Sequence, residues 1–470
     1  METDCNGTLF DFQPLGKRKV QASFDGGTIT SDAGGLLLRE VEERCGIIRQ
    51  FSECFTDYRS AALIEHTVKE LVGQRVYGLA LGYEDLNDHD DLRVDPLVAV
   101  LVGKRDPTGR NRVRKQDRGK ALAGKSTLNR LELTRPGCPD RYKKIALYGE
   151  AVDALFVEVF LQAHGSAPER IVLDVDATDD PLHGQQEGRF FHGYYKEYCY
   201  LPLYILCGEH LLCARLRESN IDASAGSVEE LDRIVRQIRR VWPSVEIAIR
   251  GDAGFCRESL MGWCEANGVH FILGLAKNAR LLGKIEREMK KARKRYALSG
   301  QASRVYGHFL YRTRKTWSRK RRVVAKAEHL AKGANPRFVV TSYSPEAYAA
   351  QTLYEEEYCA RGEMENRIKE QQLWLFADRT STHEMWANQI RLWFSSVTYL
   401  LVSAFRRLGL SGTAMAKAQC HTIRVKLLKL GAQIRTSVRR VVISLATGCP
   451  YQRMFEAAWR NLEKIPLFSP

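Results

Sequence analysis

The 470-residue chain is poor in the features that mark secreted, membrane-spanning or metal-stapled proteins. Its twelve cysteines fall singly and none forms a C-x-x-C pair, which argues against a zinc ribbon or a disulfide framework. Reduced thiols in a cytoplasmic protein are expected. Long apolar runs are also missing. The stretch "VTYLLVSAF" is too short to span a bilayer, and "METDCNGTLF" lacks the basic segment and apolar run of a signal peptide, so no membrane partner is expected. Acidic residues are in deficit: 56 Asp and Glu face 72 Lys and Arg, a net charge of +16. Such an excess attracts polyanions, of which nucleic acid is the commonest. The 44% of hydrophobic residues is enough to build a core. At roughly 100–200 residues per domain, the length allows about two to four domains.

One motif invites a nucleotide reading. "GKALAGKST", residues 119–127, fits the phosphate-loop pattern through Gly119, Gly124, Lys125 and Ser126. Such a loop works where a buried strand enters it and a helix leaves it. The preceding "DPTGRNRVRKQDR" has no apolar run, so no strand is expected there and no nucleotide partner. Residues 104–130 hold ten Lys/Arg against two Asp. That balance suits a loop on DNA backbone phosphates, with Lys125 as a contact; a solvated linker is the alternative.

Patterning divides the chain. Residues 18–40 predict a hairpin turning at Gly26-Gly27 and feeding a helix capped by Ser31 or Asp32. Helical periodicity runs through 60–103, interrupted by "EDLNDHDDLR". There His89 and its acidic neighbours read either as metal ligands or, more simply, as a polar turn capping the next helix. A mostly helical DNA-binding region is therefore expected over 1–165. Strands and helices then alternate, as in a mixed α/β sheet. That core is expected over 166–276 and again over 336–405. Between them, residues 277–332 hold nineteen Lys/Arg and three Asp/Glu and break the alternation, and a basic stretch with some strand character is expected over 277–335, which the family resemblance given below implies to be an inserted β-rich subdomain. A basic region, 406–470, is expected either to cover the core and add backbone contacts or to play a structural role alone.

Three acids stand out. Asp174 and Asp176 in "IVLDVDATDD" lie two apart on a strand and share a face, while Asp179 and Asp180 read as solvated turn residues. Asp252 in "IAIRGDAGF" ends another strand. Glu365 in "YCARGEMEN" shares a helix face with Tyr358 and Arg361, and Lys369 extends it. Acids from separate elements can hold two divalent ions about 3.5–4 Å apart, which activate water or a 3′-hydroxyl against a phosphodiester. Taken singly, each has an ordinary reading as a helix cap or a solvated side chain.

Taken in order, "TSDAGGLLLRE", "NDHDDLRVDP", "LDVDATDDPLHG", "RGDAGFC" and "YCARGEMENRIKE" resemble a DDE transposase of a bacterial insertion sequence, of the thirteen-eighty group, with an RNase H-like catalytic core. The resemblance implies Asp176, followed by Ala-Thr, as the first metal ligand, with Asp252 and Glu365 as the others. It implies two Mg²⁺ ions, with Mn²⁺ able to substitute, and cleavage and joining of the element's terminal inverted repeats by a homodimer. Tyr358, Arg361 and Glu365 match the signature Y-x2-R-x3-E-x6-K. Its Lys position is Gln372, with Lys369 one turn earlier. The 113 positions between Asp252 and Glu365 imply an insertion that clamps transposon-end DNA. Arg319, Lys320, Arg321 and Arg322 would contact its phosphates. Trp317 would either stack on an unpaired base or fill a core. A nuclease without strand transfer and an inactive DNA-binding derivative are the alternatives.

Overall fold

The computed structural model describes residues 8–468, which fall into two units. The first joins residues 1–147 to 397–470. Its hairpin pairs Phe10–Leu15 with Arg18–Ala22 and turns at Gly16-Lys17, not at Gly26-Gly27. The next strand, Ile29–Thr30, instead pairs with Ala432–Thr436, so the C-terminal basic region belongs to this unit's own three-stranded sheet. The helix Gly35–Cys45 has Gly34 at its N-cap. Asp32 is buried, accepting from Tyr83 Oη (2.6 Å) and pairing with Lys429 Nζ (2.6 Å). The helix Val68–Leu81 starts with a reciprocal Thr67–Glu70 capping box and ends at Gly82 in the left-handed region, φ 96°. "EDLNDHDDLR" contains the short helix Asp88–Leu92. His89 is fully buried there, against Gln74 Nε2 at 3.1 Å.

The expected absence of a strand before Gly119 matches this unit: among the described residues none lies between Phe55–Asp57 and Ile145–Leu147. The helix after Gly124 has four residues, Lys125–Leu128, and Lys125 N donates to Asp90 Oδ1 at 3.0 Å. A side-chain carboxylate thus takes the first backbone N–H of that short helix. "VTYLLVSAF" lies within the helix Met385–Leu408, and among the described residues no helix is long and apolar enough to cross a membrane.

The second unit, residues 148–396, is built on a nine-stranded mixed sheet. Its strands are β1 (Arg170–Ala177), β2 (Leu203–Cys207), β3 (His210–Arg215), β4 (Glu246–Gly251), β5 (His270–Leu275), β6 (Ser303–Tyr311), β7 (Arg321–Leu330), β8 (Gly333–Ala334) and β9 (Arg337–Thr341). They run in the order β3-β2-β1-β4-β5-β9-β7-β6, with β8 beside β7. Only the pairs β1–β4 and β4–β5 are parallel. The helices α1 (Gly149–Gln162), α2 (Ser227–Val241) and α3 (Glu258–Ala266) belong to the same unit. Leu231, Ile234, Val235 and Ile238 of α2 recur at helical spacing and enter the main core, and its acidic first turn and basic last turn oppose the helix dipole.

Strand periodicity gives the sheet two apolar faces. Ile247, Ile249, Phe271, Leu273, Val323 and Val340 enter one core, while Ala248, Ile272, Val324 and Val339 enter a second under Leu353 and Tyr354. Both cores continue into β7 and β9, which corrects the idea of a separate insertion. Residues 277–332 begin with helices, Ala279–Lys284 and α4 (Glu286–Ser299), and then supply β6 and β7 to the common sheet. Their charge is accommodated because α4 keeps most of its basic residues exposed, while β7 buries its first two arginines with partners.

Candidate functional site

Asp176 lies near the end of β1, and Asp252 follows β4 directly. Its Oδ1 accepts from Gly254 N at 2.8 Å, capping a one-turn helix that holds the loop in place. Glu365 stands in the first turn of α5 (Gly362–Leu375). The three acids line one cleft of about 780 Å³, with Arg361, Lys369 and Gln372. Arg361 spans two of them: Nη1 lies 3.4 Å from Asp176 Oδ2, and Nη2 donates to Glu365 Oε1. Burial raises the Asp176 carboxyl to about 7, Arg361 opposes this, and Asp252 and Glu365 add to the rise. The acids therefore feel one another. Among the described residues no three His, Cys, Asp or Glu side chains are gathered closely enough to hold a metal ion as they stand.

Asp174 shares the β1 face with Asp176 but is committed elsewhere. Arg250 Nε and Nη2 donate to its two oxygens at 2.5 and 2.7 Å, and both side chains are buried. Arg250 also donates to the carbonyl of Glu357, whose carboxylate takes two bonds from Arg170 at 3.1 and 2.9 Å. These charged contacts fasten the segment leading into α5 to the sheet, and so set where Glu365 lies. Asp180, expected in solvent, is buried; burial, and then the neighbouring Asp378 charge, drive its carboxyl well upward.

The helix face shared by Tyr358, Arg361 and Glu365 is interrupted. Leu353–Tyr358 is π-helical and Cys359–Arg361 is a 3₁₀ turn, so the register changes before α5 begins. Tyr358 lines a neighbouring cleft with Ala253, Gly274 and Arg337 rather than the acid cleft. Gln372 Nε2 donates to the Asp179 carbonyl at 2.9 Å, while Lys369 is exposed along the cleft.

In the basic segment, the expected DNA contacts separate into two groups. Trp317 is buried in the core, edge-on to Tyr311, and has no exposed face for a base. Arg321 is buried between Glu258 (2.6 Å) and Glu265 (2.7 Å), and Arg322 donates to the carbonyls of Tyr343, Ser344 and Tyr348. Neither arginine is available to a phosphate. Arg319 and Lys320 are exposed. Lys125, in the first unit, is also exposed, with Nζ 3.6 Å from Asp90.

Two features escaped the sequence reading. At Gly274 a Cβ would lie 2.6 Å from Tyr358 Oη, 2.9 Å from Ala253 N and 3.1 Å from the Asp252 carbonyl carbon. Only glycine lets the Asp252 loop and Tyr358 approach β5, and the lone Gly inside the strand-like "VHFILGLA" was the available signal. His192, Tyr194 and Tyr195 also line the acid cleft, and the aromatic run "RFFHGYYKEYCY" was theirs.

No curated protein matches the chain. Among solved structures, the cryo-EM structure of a piggyBac transposase synaptic complex with hairpin DNA is similar at 12% identity and a TM-score of 0.41, over 94% of this chain and 87% of that one. The family model for the transposase DDE domain, group 1, matches residues 12–467, nearly the whole length, and with three carboxylates gathered in one cleft the chain belongs to that family.

Proposed function

We propose that the protein is a DNA transposase of a bacterial insertion sequence of the thirteen-eighty type, which cleaves its element's terminal inverted repeats and joins the freed 3′ ends to target DNA. The observation that carries this is the convergence of Asp176, Asp252 and Glu365, from two strands and a helix, on one open cleft with Arg361 among them. The order β3-β2-β1-β4-β5, with the β1–β4 and β4–β5 pairs parallel, supports an RNase H-like core.

The donor set fits magnesium, which takes oxygen ligands and retains waters; the three acids offer only carboxylates, in a cleft open to solvent. Asp176, Asp252 and Glu365 would hold two ions, and Mn²⁺ would substitute. When bound, such ions activate a water or a 3′-hydroxyl and stabilise the leaving oxygen. Asp176, raised to about 7, must ionise to serve as a ligand, so binding releases a proton near neutral pH. Arg361 now balances the charge of Asp176 and Glu365. With cations in that role its guanidinium is free to hold a phosphate oxygen. Lys369 takes the phosphate contact of the signature lysine, because Gln372 is bonded to backbone. Tyr358 seats the segment before α5 against Gly274 instead of facing DNA. Arg319, Lys320 and Lys125 add backbone contacts, and two copies act on paired ends.

A plasmid-integration assay with Mg²⁺ tests the reading. Joined products are expected. Cut products without joining would make the protein a nuclease, and neither product would make it an inactive DNA-binding relative.

A further inference from the structure

The unit that joins the two ends of the chain carries a strand with one side unused. Val441–Leu445, "VVISL", lies at the edge of the three-stranded sheet, beside Ala432–Thr436. Bonded and unbonded pairs alternate along an antiparallel ladder. Ser437 N donates to the Arg440 carbonyl at 2.8 Å, and Ala446 N to the Gly431 carbonyl at 2.9 Å. Stepping by twos between those ends makes Val442–Arg435 and Ser444–Gln433 the bonded pairs. The N–H and C=O groups of Val441, Ile443 and Leu445 therefore point away from the sheet, and among the described residues none of them has a backbone partner. Ile434, opposite Ile443, likewise donates away from this strand, to the Thr28 carbonyl at 2.8 Å. Such an edge is a template for another strand, and proteins blunt it with charge, proline or a bulge. This one has none of the three, in a chain that is 27% charged. By contrast β6, at an edge of the large sheet, carries Arg304 and His308.

We propose that this strand pairs with its own copy, antiparallel about a two-fold axis at Ile443, so that the protein is a dimer before it meets DNA. The occupant is a second copy because the edge is complementary to itself. With Ile443 opposite Ile443, Val441 falls opposite Leu445, and each outward N–H meets an outward C=O. The pairing also keeps like charges apart. It sets Arg440 opposite Ala446 and Arg439 opposite Thr447 of the second copy. Ala446 and Thr447 line a groove of about 260 Å³ with Leu445, Phe455 and the exposed Glu456, so the basic turn arrives beside an acid. The apolar side of the groove gains cover as well. Val441 and Leu445, 38% and 36% exposed, share the sheet face of the buried Ala432 and Ile434, and the pairing places the Val441 of one copy next to the Leu445 of the other. Backbone phosphates are acceptors only and leave the outward carbonyls unpaired, which makes DNA the poorer occupant. The pairing needs neither DNA nor metal, and so stands apart from the transposase reading.

The test is sedimentation of the full-length protein without DNA and in chelator, at up to about 100 µM because a strand pair is a small interface. The wild type should sediment at twice the mass of one chain. Ile443→Pro removes the donor at the axis without touching the bonds to Ala432–Thr436, since that N–H points outward. It should weaken the dimer about tenfold or more while the thermal melt stays close to wild type. Val441→Pro removes an outward donor two residues from the axis, and decides the matter if Ile443→Pro does not fold. Val442→Thr, whose backbone is bonded inward, should leave the dimer intact. A wild type that is monomeric throughout, or a dimer that survives in a folded proline variant, overturns the pairing. So does a monomer whose duplex affinity falls with the proline changes, which gives the edge to DNA. Failure of a dimeric wild type to integrate plasmid DNA would remove the transposase reading alone and leave the pairing standing.

Discussion

Two aspartate–arginine pairs sit two residues apart on one strand and behave as opposites. Asp174 and Arg250 are closed: two short bonds, both partners buried, and the helical segment at Glu357 fastened over them. Asp176 and Arg361 are open: one contact at 3.4 Å, in a cleft, with the guanidinium shared with Glu365. Side-chain chemistry and strand face are the same in both. The difference lies in what covers them, since α5 and its lead-in close over the middle of β1 and leave its end exposed to the cleft. A closed pair holds position, whereas an open one can exchange its partner for a metal ion or a phosphate.

Breaking each pair should have separable effects. Asp176→Asn or Asp252→Asn should reduce DNA cleavage to background while DNA binding and folding persist, as product gels, affinity measurements and thermal melts would report. Asp174→Ala should do the reverse. It strands a buried guanidinium, a loss of about 3–5 kcal/mol in denaturant unfolding, with measurable cleavage wherever the protein stays folded. Equal loss of cleavage without destabilisation in the Asp174 variant would erase the distinction.

The comparison sharpens at Gly274, which lets the Asp252 loop close. Gly274→Ala should cost about 1–3 kcal/mol and lower cleavage, because the added carbon meets backbone of Asp252 and Ala253. Adding Tyr358→Phe removes only the hydroxyl contact, so it should restore part of the stability and little of the activity.

A smaller effect concerns pH. In chelator, Asp176 titrates at about 7 in the folded protein against an ordinary 3.8, so the folded state keeps a proton that the unfolded chain has lost. Its contribution to stability should be greatest below about pH 4 and decline as pH rises towards 7. Asp176→Asn should flatten that decline, and Mg²⁺ should too, because it binds the ionised form. Identical metal-free stability curves for the wild type and Asp176→Asn between about pH 4 and 7 would show that Asp176 is not perturbed. Smallest is the contrast within the basic run. Neutralising Arg319 and Lys320 should lower the log–log salt slope of duplex binding by about 0.9 for each phosphate that the protein no longer neutralises. The same change at Arg321 and Arg322 should instead lower the melting temperature.

The acids could be picked out because their settings are local: a strand ending in Asp-Ala-Thr, a Gly-flanked Asp, and a Tyr-x2-Arg-x3-Glu spacing, although the structure breaks the helix between Tyr358 and Glu365. The alternating strands of the core were legible for the same reason. Arg321 was not, because its partners Glu258 and Glu265 lie 63 and 56 positions earlier on α3, and local charge counting sees only the basic neighbours. The misplaced hairpin turn has a similar cause, since Ile29–Thr30 finds its partner some four hundred positions on, at Ala432 and Gln433. Gly274 announced a close approach without saying what approached.

The route by which the chain reaches Glu365 has a consequence for the order of assembly. Asp176 and Asp252 end neighbouring parallel strands, whereas Glu365 follows β9, which pairs with β5 and β7, and Glu357, which Arg170 and Arg250 hold. The contacts of Arg170 and Arg250 with Glu357 span 187 and 107 positions, and pairings that distant form slowly. A chain emerging from the ribosome therefore carries two of its three acids for more than a hundred residues without the third. If Asp176, Asp252 and Glu365 cut DNA as proposed, a copy truncated before Glu365 lacks one of the three acids and has no complete site with which to damage DNA.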